Sequence, residues 1–76
     1  MDFSIVVLSN PDSIYWRSIE DVIYPLRDAI SALGYSVDIA ENKISKDAVN
    51  IIFGLQDKPN YPLHEIPENS IIYNFE

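Results

Sequence analysis

FSIVVL, residues 3–8, is apolar at every position except Ser4 and rich in β-branched side chains. A strand with one wet face alternates polar and apolar residues. A near-continuous apolar run of this length belongs to a strand buried on both faces, the habit of parallel sheets covered by helices. The run is followed by Ser9-Asn10-Pro11-Asp12, which is turn chemistry. An α/β fold is therefore expected.

The longest periodic segment comes next. Ile19, Val22, Ile23, Leu26, Ile30 and Leu33 recur at helical spacing and form one apolar stripe, with Arg17, Glu20, Asp21, Arg27 and Asp28 mostly off it. Ser13 or Ser18 is the expected N-cap, and Ser18 with Asp21 has the look of a capping box. Gly34 suits the left-handed residue that ends a helix. Pro25 removes a backbone donor and crowds the carbonyl of Asp21, so a kink or a later helix start is expected.

Three further strands follow. YSVDIA at 35–40 alternates, as near a sheet edge. AVNIIF at 48–53 and SIIYNF at 70–75 are apolar but for Asn50 and Asn74. Residues 41–47 form a polar connection. Residues 55–69 hold Pro59, Pro62 and Pro67 and predict a loop with little regular structure. The order is β-α-β-β-β. It reads as a partial Rossmann-like domain with a mostly parallel four-stranded sheet and one long helix on one face. Residues 1–76 make a single N-terminal half-domain. Its expected core is Ile5, Val7, Ile19, Val22, Ile23, Leu26, Ile30, Leu33, Val37, Ile39, Ile51, Phe53, Ile71 and Tyr73.

Composition narrows the function. The formal charge is −7, from five basic and twelve acidic residues. That disfavours the phosphate backbone of nucleic acids and an anionic membrane surface. There is no cysteine for a disulfide or thiolate site, and one histidine, His64, cannot build a His-rich metal cluster. His64 reads as a surface residue of the proline-rich loop. The start Met1-Asp2 lacks the basic region of a secretory signal, and a cytoplasmic location is expected. The two glycines, Gly34 and Gly54, are too far apart for a phosphate-binding fingerprint. No catalytic residue, metal or cofactor is assigned.

In open α/β sheets, ligands bind beyond the carboxyl ends of the strands. Here those ends supply Ser9, Asn10, Gly54, Gln56, Asn74 and Glu76 as ligand-side candidates. One helix cannot cover both faces of an apolar sheet. A homo-oligomer, through the bare sheet face or a strand edge, is therefore expected. The rival arrangement is a monomer in which Tyr61, Leu63 and Ile66 of the proline-rich loop fold over that face.

LGYSVDIAEN at 33–42, AVNIIFG at 48–54 and IPENSIIYNFE at 66–76 resemble the N-terminus of bacterial glycosyltransferase-like proteins of the two-Rossmann-domain GT-B class. The more specific elements are Glu41-Asn42 after the second strand and Tyr73-Asn74-Phe75-Glu76 at the fourth. The resemblance spans most of the chain. It implies the first part of the acceptor-side domain, contributing to the sugar-acceptor side of the cleft and inactive alone. Two departures stand out. Gln56 replaces the histidine that follows the strand-ending glycine in that family, so any role of that histidine does not carry over. The family also runs on well past the position of Glu76, and its nucleotide-sugar pocket lies mainly in the later domain. The alternative reading is a small acidic, non-enzymatic protein-binding module.

Overall fold

The computed structural model describes residues 1–8, 15–55 and 61–73, with the backbone alone described at 15–18. Four strands, β1 (Phe3–Val7), β2 (Val37–Glu41), β3 (Val49–Phe53) and β4 (Ile71–Tyr73), form one sheet in the order β2-β1-β3-β4. Every pairing is parallel. The apolar run that opens the chain thus lies between two neighbours, while alternating β2 lies at an edge. Among the described residues one α-helix, α1 (Tyr15–Ala32), lies between β1 and β2. The chain is α/β, with the architecture of a partial Rossmann-like domain.

The helix packs over β1 and β2. Ile19, Ile23 and Ile30 meet Ile5, Val7, Ile51 and Phe53 in one core cluster, with Phe3, Val22, Leu26, Val37 and Ile39 partly buried around it. Successive strand residues alternate faces, so the odd-numbered positions of β1 and β3 face the helix. Gly34 takes φ +94°, and its N–H donates to the Ser31 carbonyl while the Tyr35 N–H donates to that of Ile30. This paired closure is a Schellman motif, and the left-handed residue it requires is the glycine.

Some expectations change. Helix α1 is continuous through Pro25 and starts at Tyr15, so Ser18 lies inside it and is not its cap. Ser13 lies outside the described residues. Pro25 is exposed, so water can serve the Asp21 carbonyl that loses its helical donor. Leu33 is not in the core. It falls beyond the helix and is 76% exposed, because the chain has already begun its turn to Gly34. Ile71 and Tyr73 are also exposed, since β4 is an edge strand beyond the reach of the helix.

The opposite, even-numbered face is not bare over the central strands. Val6, Leu8 and Ile52 are fully buried there beneath Ile44, Leu55, Tyr61 and Ile66. Two irregular connections supply this cover. Residues 42–48 cross β1 to reach β3, and the proline-rich segment leads from β3 to β4. Tyr61 and Ile66 act as the expected cover; Leu63, in a 3-10 turn at Leu63–Glu65, is 64% exposed and does not. Placement on this face follows from chirality. The step from β1 to β2 and the step from β2 to β3 run in opposite directions along the sheet. Two right-handed crossovers running oppositely must use opposite faces.

Candidate functional site

Because the chain leaves β1 over one face and leaves β3 over the other, the strand order reverses between these two strands. This is the topological switch point. Its crevice, beyond the carboxyl ends of β1 and β3, is where doubly wound sheets bind ligands. Strand β1 runs into Leu8, whose N–H donates to the Phe53 carbonyl at 2.8 Å. Strand β3 ends at Gly54, which is buried and has φ +86°. A side chain at that φ is strained, so glycine answers a backbone demand there. Asn42, after β2, is the one described non-glycine residue with positive φ, at 56°, and its N–H donates to the Val7 carbonyl at 2.8 Å. Asparagine tolerates this conformation better than most residues. The Glu41-Asn42 step therefore has a local reason: it turns the chain off the edge strand and into its crossing of β1.

Of the six ligand-side candidates, Gly54 sits at the switch point. Ser9, Asn10, Gln56, Asn74 and Glu76 lie outside the described residues. His64 is exposed in the 3-10 turn. Among the described residues, no three His, Asp or Glu side chains gather as a metal site.

A second polar feature lies on the even-numbered face, where periodicity gave no warning of it. Asp38, Ser4 and Asn50 stand side by side across β2, β1 and β3. Asn50 is fully buried. Its Oδ1 accepts from the Ser45 N–H at 2.8 Å, and its Nδ2 donates to the carbonyls of Ser45 at 2.8 Å and Ala48 at 3.3 Å. The polar intrusion in an apolar strand is thus a clamp on the connection that crosses β1. Ser4 is 1% exposed, and its hydroxyl has no hydrogen-bond partner. A buried unsatisfied group of this kind costs about 1–3 kcal/mol.

Two cavities flank the clamped connection. One, of about 470 Å³, is lined by Ser4 and Asp38 beneath and by Lys43, Ser45, Lys46 and Asp47 of the connection, with Ala40 and Ile44 as apolar wall. The other, of about 530 Å³, lies between the same connection and Tyr61, Glu65 and Pro67. Burial, and secondarily the nearby Glu65 carboxylate, push the Tyr61 phenol above its ordinary pKa. It remains a neutral hydrogen-bonding group at physiological pH. The sequence signals for this region were Ser4 and Asn50, the polar residues within apolar strands.

No protein-family model, curated protein or solved structure matches the chain. Among the described residues, no helix is long and apolar enough to cross a membrane.

Proposed function

We propose that the chain is the first part of a glycosyltransferase-like acceptor-side domain, one that presents the β1–β3 switch point to a sugar acceptor and does not catalyse by itself. The observation that carries the reading is the buried, left-handed Gly54 ending β3 beside the end of β1, at the crevice where such sheets hold ligands. The motif resemblance at Glu41-Asn42 and at residues 66–76 supports it. Simple sugars at millimolar concentration are expected to shift the amide resonances of Leu8, Gly54 and Leu55 saturably. Unmoved resonances would remove the acceptor role. UDP- and GDP-sugars should bind weakly, since no phosphate-binding fingerprint is present. A low micromolar dissociation constant by calorimetry, about −8 kcal/mol, would contradict the half-domain reading.

One observation favours a second reading, an acidic module that associates with itself or another protein. Strand β4 lies at one edge of the sheet among the described residues, and Ile71, Ile72 and Tyr73 are each close to half exposed. An edge of this kind, without Lys or Pro, invites strand pairing. Light scattering across a concentration series separates the readings, because self-association through β4 raises the mass with concentration.

A further inference from the structure

Among the described residues the sheet has two edges, β2 and β4, and they differ in how each would meet a copy of itself. Strand β2 carries Asp38 and Glu41, both exposed. Two β2 strands brought together would line four carboxylates along one seam, between chains that already carry −7 each. Charged side chains on an edge guard against such pairing. Strand β4 reads Ile71-Ile72-Tyr73 and has no charge, and its side chains are 44–50% exposed.

The order of these three residues suits a copy of the same strand. Successive residues alternate faces. Register with β3 puts Ile71 and Tyr73 on the helix-side face with Ile51 and Phe53, and Ile72 on the opposite face with Ile52. The Tyr73 ring stacks on the buried ring of Phe53, with centroids 5.0 Å apart and planes at 27°. Its orientation is thereby set while the residue stays 45% exposed. Laid antiparallel on a second β4 with Ile72 at the two-fold axis, Ile71 stands opposite the partner's Tyr73, and Tyr73 opposite the partner's Ile71. An aromatic ring against a β-branched side chain is a favourable cross-strand pair, and here it occurs twice on one face. On the other face Ile72 meets its own copy. No carboxylate enters this seam. A strand of another protein has no such matching order imposed on it.

We propose that the chain forms an isologous dimer through β4, antiparallel and centred on Ile72, which joins two four-stranded sheets into one. This rests on the self-association reading above and adds the register to it.

The chain has no cysteine, so single cysteines report that register. At the two-fold axis, Ile72→Cys places two thiols on directly opposite residues, with Cβ atoms about 4.5–5.5 Å apart, a small adjustment from disulfide geometry. Ile71→Cys stands diagonal to its own copy, at about 7–8 Å, where a disulfide does not close without backbone movement. The same holds for Tyr73→Cys. Three paired residues make a weak interface, so the chains are oxidised mildly at about millimolar protein, the weak end of specific association. Physiological salt screens the repulsion between the two acidic chains. The expected result is a trapped dimer for Ile72→Cys and little dimer for Ile71→Cys or Tyr73→Cys alone. An equimolar mixture of Ile71→Cys and Tyr73→Cys should cross-link as Ile72→Cys does. All three positions are exposed, and parent-like thermal melts establish that the variants fold. The parent's mass by light scattering should rise with concentration above the 8.7 kDa of one chain. A rising mass without preference for Ile72→Cys and the mixed pair overturns this register and leaves self-association standing. A parent of single-chain mass up to about millimolar protein overturns both, and leaves β4 to a strand of another protein.

Discussion

Ser4 and Asn50 are neighbours in register on β1 and β3, both buried and both polar, yet they have opposite energetic signs. Asn50 satisfies three hydrogen bonds and anchors a connection that has no regular structure of its own. Asn50→Ala leaves the Ser45 N–H and carbonyl without partners and should cost about 1–3 kcal/mol in chemical denaturation. Ser4→Ala removes an unmet hydroxyl and should leave the midpoint unchanged or raise it. A loss of stability at Ser4→Ala comparable to that at Asn50→Ala would show that the hydroxyl is paired in solution. A third residue makes stability depend on pH. The Asp2 carboxylate accepts from the Ser36 N–H at 2.9 Å and from its hydroxyl at 3.1 Å, and these bonds hold its pKa below the ordinary value. The folded value being the lower one, the contribution is complete above the ordinary carboxylate range and is lost as pH falls through the lowered value. The Asp2 carboxyl resonance followed through an acid titration should show it protonating below the ordinary carboxylate range. Ser36→Ala, which keeps the N–H and removes the hydroxyl, should bring it part of the way back.

At the scale of elements, what was legible depended on whether an element has a period. The helix stripe at Ile19, Ile23 and Ile30 and the apolar runs of β1 and β3 repeat regularly, and the structure buries them as that pattern implies. Leu33 continued the stripe on paper but falls after the helix has ended. The second cluster was legible only in part: Tyr61 and Ile66 were expected as cover for that face, whereas Ile44 and Leu55, also from irregular segments without period, gave no such signal. The candidate site was legible only as the ends of strands. The clamp and the cavity depend on where a loop crosses, which spacing alone does not reveal. Both clusters should matter alike. Ile23→Ala on the helical face and Ile52→Ala on the other should each cost about 2–5 kcal/mol, comparable to the whole stability of so small a domain. A normal thermal melt for Ile52→Ala would mean that the loops do not seal that face. Pro25→Ala restores a helical donor at an exposed position and should stabilise the chain by up to about 3 kcal/mol, read from the denaturation midpoint.

At the scale of the whole molecule, cover is uneven across the sheet. Helix on one side and loops on the other enclose β1 and β3, while β4 is exposed through all three of its residues. Any self-association is expected there, with two-fold symmetry as the commonest closed form. Ile72→Lys puts a charge on that strand at an already exposed position. It should lower the mass seen in light scattering to that of one chain of 8.7 kDa while leaving the melt close to the parent's. A parent of single-chain mass at every concentration removes association through β4 altogether.

The central place of β1 also sets a timetable. Its partners in the sheet lie far downstream: Phe3 aligns with Val37 on one side and with Val49 on the other. At ribosomal speeds of about 5–20 residues per second, the 46 residues from Phe3 to Val49 take roughly 2–10 s to synthesise. For those seconds the most apolar run of the chain exists with no strand on one side to pair with. Nascent FSIVVL is thus a segment open to a chaperone's hold during that interval, and slowing translation between residues 8 and 49 should lengthen that hold in proportion.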